Sequence, residues 1–144
     1  MPSPLRLVLV DDDELLLHVT TRALSREGMV VAGFCNPLTA RSAILREPPD
    51  LVLTDFEMPG LDGVALARDA RASLGDGCPP FVLWTGSRER LPREAPALLD
   101  AVIDKPCRPG RLVTVLRALG SPRAVTQSGV RGPLVRAKAG EVAR

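Results

Sequence analysis

Short apolar runs alternate along the chain with longer segments whose apolar residues recur at helical spacing. The runs Leu5 to Val10 and Met29 to Cys35 are compact and β-rich, and each reads as a strand. Between them Leu16, Val19 and Ala23 predict a helix that stops at Gly28. Asn36-Pro37 then supplies a capping residue and a proline at the first helical position, opening a helix over Leu38 to Arg46 that Pro48-Pro49 ends. Asp50 to Asp55 is a third strand, and Gly63 to Leu74 a third helix with Ala67, Ala70 and Leu74 on one side. Pro80 to Thr85 reads as a fourth strand. The stretch Arg88 to Asp100 should hold a fourth helix, which Pro92 and Pro96 make short or irregular. Ala101 to Asp104 is a brief fifth strand, and Leu112, Val115, Leu116 and Leu119 mark a last helix that stops at Gly120.

Five apolar strands separated by helices, with no hairpin turn signals, imply a parallel sheet covered on both faces, that is, a doubly wound α/β domain. The 144 residues have room for one such domain, assigned to residues 1–120. Residues 121–144 lack periodicity and are expected to form a flexible tail. Charge separates along the same boundary. Of 19 basic and 17 acidic residues, five basic and one acidic follow Gly120, leaving 14 basic and 16 acidic in the body, so the tail is basic and the body mildly acidic. The tail carries no aromatic or helical pattern, which argues against nucleic acid as a partner. No apolar run approaches the ~20 residues that cross a bilayer, so no membrane partner is expected. Cys35, Cys78 and Cys107 lie far apart without C-x-x-C spacing and suit a reducing cytoplasm.

In an open parallel sheet, ligands bind beyond the carboxyl ends of the strands. At those ends stand Asp11, Asp12 and Asp13 after strand one, Asp55 after strand three, Thr85 ending strand four and Lys105 after strand five. Each has an ordinary reading alone. Asp13 suits a helix cap, Asp55 a turn before Met58-Pro59-Gly60, and Lys105 a solvated loop. Together they make an oxygen-lined cleft with one ammonium. The choice of lysine is itself informative, because the chain has 17 arginines and only two lysines, Lys105 and Lys138. Clustered carboxylates repel unless a cation sits among them, and oxygen-only ligands favour a hard ion such as Mg²⁺. A carboxylate there can also act as nucleophile toward a phosphoryl group.

The runs Leu7 to Asp13, Asp50 to Gly63, Leu83 to Gly86 and Asp104-Lys105-Pro106 resemble, in order and interval, the receiver domain of two-component response regulators, over about Leu5 to Leu119. The resemblance implies a flavodoxin-like strand order 2-1-3-4-5 and a stand-alone receiver of the chemotaxis-regulator kind. It implies that Asp55 accepts a phosphoryl group from a histidine kinase or phosphotransfer protein, with Mg²⁺ as cofactor. Asp12 and Asp55 would bind the metal, Asp11 would do so through water, and the backbone carbonyl of Glu57 would be a further ligand. Thr85 would swing toward the phosphoryl group and Lys105 would pair with it. The Lys105-Pro106 peptide resembles one often cis in this family. The signal would pass to another protein by contact, from a monomer or a phosphorylation-dependent dimer.

Two departures stand out. A ring commonly found three residues before the lysine is Val102 here, so the familiar ring rotation cannot occur. The Glu57 side chain occupies a variable position that should affect dephosphorylation. Two rival readings remain. A haloacid-dehalogenase-type phosphatase would use Asp11 as nucleophile with Asp100 and Asp104 as its later acids. A receiver-like module would signal without phosphorylation. His18, on the first helix, reads as an ordinary solvated or packed residue, and Trp84 should fill the sheet end beside Thr85.

Overall fold

A computed structural model describes residues 3–120. Five strands, β1 (Arg6–Val10), β2 (Val30–Phe34), β3 (Leu51–Thr54), β4 (Phe81–Thr85) and β5 (Ala101–Asp104), alternate with five helices, α1 (Glu14–Arg26), α2 (Pro37–Arg46), α3 (Gly63–Leu74), α4 (Ala95–Leu98) and α5 (Pro109–Gly120). All strand pairs are parallel, in the order β2-β1-β3-β4-β5, as expected. The basic tail assigned to residues 121–144 lies outside the described residues.

Side-chain alternation along the strands divides the core between two faces. Val8, Val10, Val52, Phe81 and Leu83 pack beneath α2, α3 and α4 with Ala40, Ile44, Leu66, Ala67 and Leu99. Leu7, Leu9, Leu53, Val82, Trp84 and Ile103 face α1 and α5, meeting Leu24, Leu112 and Leu116. Both faces of β3 and β4 are buried, which is why those strands read as unbroken apolar runs. The phase of α1 differs in part from the expected stripe, since Leu16 packs against the core and Val19 does not. Thr20 and Leu24 are its buried residues, and Val19 is 54% exposed.

Local chemistry sets the helix starts. The side chains of Asp13, Asn36 and Asp62 accept from the backbone N–H groups of Leu16, Leu38 and Ala65, filling otherwise orphaned donors at the first turns. Between Arg88 and Asp100 the two prolines leave a 3₁₀ turn (Arg88–Arg90) and the single turn of α4. Among the described residues no helix is long and apolar enough to cross a membrane.

Candidate functional site

Every parallel strand delivers its C-terminal residue to the same edge of the sheet, and four of the five carry the expected groups there. Asp11 follows β1 and is almost fully buried, at 2% exposure. Its Oδ1 accepts from the Asp13 backbone N–H at 2.9 Å, and its Oδ2 accepts from Lys105 Nζ at 3.1 Å. Asp55 follows β3, anchored by a 2.8 Å bond from the Phe56 N–H to Oδ1. Lys105 Nζ stands 3.4 Å from that same oxygen. Asp11, Asp12 and Asp55 each present a carboxylate oxygen, all within 4.8 Å of one another. Asp13, the third of the run, is the helix cap.

Burial, above all, pushes the Asp55 carboxyl above its ordinary range; Asp11 adds to the rise, and Lys105 and the Phe56 N–H oppose it. One ammonium among three carboxylates leaves the cluster short of positive charge. Three oxygen donors at this spacing suit a small hard divalent ion of the Mg²⁺ type, so the residues fit the metal that the sequence pointed to.

Thr85 is buried at the end of β4, with Oγ1 accepting from the Ser87 N–H at 2.9 Å and its carbonyl accepting from the Lys105 N–H at 2.9 Å. The second bond ties the two loops that bear the hydroxyl and the ammonium. The Lys105-Pro106 peptide is cis. Gly63, opening α3, is required by proximity: a Cβ there would overlap the Asp55 carbonyl oxygen and crowd Leu83. Gly60, with φ of +91°, closes the turn after Met58-Pro59 that brings α3 back to that position. Glycine at 63 therefore lets the helix start press against the backbone of Asp55.

Several partners were not legible beforehand. Glu57 pairs with Arg90 at 2.7 Å, across two loops 33 residues apart, and neither spacing nor periodicity announces it. Arg88 donates to Asp104 Oδ1 at 2.9 Å and to the Val102 carbonyl at 3.0 Å. Trp84 lies under the Lys105 ammonium, with Nζ 5.1 Å from the ring centroid. That contact had a signal, since Trp84 sits opposite Ile103 in the β4–β5 register and Lys105 is two residues further on the same face. His18 is exposed on α1.

Asp100, by contrast, precedes β5 at the opposite edge of the sheet. It accepts from the Phe81 N–H at 2.8 Å and from Arg71 at 3.0 Å. Asp100 and Asp104 are therefore not assembled together beside Asp11, as the phosphatase reading needs.

Comparison with known proteins agrees with the fold. The response regulator MtrA of Mycolicibacterium paratuberculosis, a DNA-binding protein, is 35% identical over 117 residues, covering 78% of this chain and 50% of its own length. PetR of Rhodobacter capsulatus is 34% identical, covering 86% and 53%. The chain thus spans about half the length of the curated relatives it matches. Among solved structures, a CheY-like receiver domain from Methanospirillum hungatei superposes with a TM-score of 0.71 at 26% identity, covering 81% of this chain and 93% of that one. The receiver domain of the Pseudomonas aeruginosa sensor kinase PA1611, whose cleft holds a magnesium ion, gives 0.73 at 23% identity, covering 81% and 98%. The family model of the response regulator receiver domain matches residues 7–117, from the first strand into the last helix, and the chain belongs to that family.

Proposed function

We propose that Asp55 accepts a phosphoryl group, with Mg²⁺ held by the carboxylates of Asp12 and Asp55, by Asp11 through water and by the backbone carbonyl of Glu57. The observation that carries this reading is the meeting of three carboxylates with the single Lys105 ammonium at one sheet edge. A carboxylate oxygen of Asp55 attacks phosphorus, forming a P–O bond as the bond to the donor breaks. With a phosphohistidine donor on a histidine kinase or phosphotransfer protein, the imidazole leaves and takes up a proton. Water later cleaves the acyl phosphate to carboxylate and inorganic phosphate. Lys105 pairs with a phosphoryl oxygen, and the Thr85 hydroxyl leaves the Ser87 N–H to donate to another. Bound Mg²⁺ would supply charge neutralisation and alignment.

No further catalysis is assigned; the chain acts as a phosphorylated signalling domain that works through protein contacts. Its three free cysteines fit a reducing compartment such as the cytoplasm.

Acetyl phosphate with Mg²⁺ tests the reading directly. Intact-mass analysis should show one added phosphoryl group, absent from Asp55→Asn and lost on chelation of the metal. Full labelling of Asp55→Asn with loss in Asp11→Asn would replace this reading with the phosphatase one. No labelling of the wild type would favour a phosphorylation-independent module.

A further inference from the structure

Among the described residues the Lys105 ammonium has three partners: Asp11 Oδ2 at 3.1 Å, Asp55 Oδ1 at 3.4 Å and the face of Trp84 at 5.1 Å. The first two are carboxylates that also make up the cation cluster. A divalent ion drawn to those oxygens competes with the ammonium for them. The indole face is the partner that such an ion leaves alone, because its attraction depends on a cation close over the ring.

The choice of Trp at this position supports the same conclusion. Trp84 is buried to 7% exposure, and its Nε1–H has no hydrogen-bond partner among the described residues. An orphaned buried donor is unfavourable, and phenylalanine would avoid it while filling much of the space. Indole, however, offers the strongest face to a cation. The cation itself is one of two lysines in a chain with 17 arginines. We propose that Trp84 is a positioning residue for Lys105, holding the ammonium beside the cleft when the carboxylates are engaged by the metal. The inference rests on the phosphoacceptor reading for its purpose, though the contact itself can be measured apart from that chemistry.

Two measurements on the full chain decide it. In the NMR spectrum, the Lys105 ε-methylene resonance, identified by its loss in Lys105→Met, should be shifted upfield by the ring current. That shift should survive saturation with Mg²⁺ and vanish in Trp84→Leu. In acetyl phosphate labelling at saturating Mg²⁺, Trp84→Leu should slow the rate about fivefold to tenfold, and Trp84→Phe, with its weaker face, should recover only part of it. In a Lys105→Met background the Leu substitution should add less than about a twofold further loss. The proposal is overturned if Mg²⁺ moves the methylene to its unshifted position, or if Trp84→Leu slows the Lys105→Met protein as much as the wild type. A wild type that takes no label defeats the phosphoacceptor reading, while the resonance still decides the role of Trp84.

Discussion

Glu57 Oε2 and Arg90 Nη1 meet at 2.7 Å and join the loop after Asp55 to the loop after β4. The pair borders a cavity of about 510 Å³ lined also by Phe56, Met58, Pro59 and Asp62. Both side chains are at least half exposed, so the pair adds little to stability. Its effect is on the charge facing a cation in the cleft. Arg90→Ala removes a positive charge and should tighten Mg²⁺ binding by about twofold to fivefold; Glu57→Gln leaves Arg90 uncompensated and should weaken it by a similar factor. Titrations in low and high salt check both, and the differences should shrink as salt rises. Identical affinities in the two variants would show that the pair lies outside the field of the site.

The raised Asp55 carboxyl predicts a pH-dependent stability. Its folded pKa lies above its unfolded value, so the neutral form is favoured by folding. The associated stability is present below the unfolded value, near 3.8, and is lost as pH rises through the folded value. At neutral pH without metal, Asp55→Asn should therefore melt a few degrees above the wild type, and the gap should close in acid. Saturating Mg²⁺ should reverse the order, because it binds the wild type more tightly and stabilises it by about 1.4 kcal/mol for each tenfold excess over Kd. Thermal melts across pH, with and without metal, test this; an unchanged or lower melting point for Asp55→Asn at neutral pH would contradict it.

The alternation of strands and helices and the helix starts at Asp13 and Asn36 follow from local pattern and cap chemistry, whereas the strand order was implied by the family resemblance. The acid and lysine positions were legible for a related reason: parallel strands bring all their C-terminal residues to one edge. The side-chain pairs around the site were less so. Glu57–Arg90 and Arg88–Asp104 form between loops whose approach depends on the turns between them. Helical spacing also placed Val19 inward, but the inward face of α1 carries Thr20 and Leu24 instead. A leucine-rich helix start, with Leu15, Leu16 and Leu17 consecutive, fits more than one phase.

Gly63 has no room for a methyl group. Its Cβ would press on the Asp55 backbone carbonyl and on Leu83, with Thr54 close by, and the backbone there belongs to two packed elements. Gly63→Ala should thus destabilise the fold by about 2–3 kcal/mol, toward the upper end for overpacking, despite alanine's better helix propensity. Urea denaturation gives the magnitude. Because relief of the clash displaces Asp55, Mg²⁺ affinity should fall as well. A fall in stability with unchanged metal affinity would mean that α3 moves and the acceptor loop does not.

Val102 offers no ring to couple the site to the surface beside β5, and Arg88 occupies the connection between β4 and β5 there. Its guanidinium reaches both the Asp104 carboxylate and the Val102 carbonyl from the loop that begins at Thr85 and Ser87. Two donors in a fixed fork suit this bridge, and an ammonium can reproduce the charge without the fork. Arg88→Ala should destabilise the domain by about 1 kcal/mol, the partial exposure of the pair keeping the figure low, and Arg88→Lys should recover less than half of it. The bridge also predicts a spectroscopic effect. If movement of Thr85 on phosphorylation travels through Arg88, amide resonances of Val102 and Asp104 should shift when the wild type is labelled by acetyl phosphate and stay nearly still in Arg88→Ala. Equal shifts in the two proteins would show that the signal leaves the site by another route.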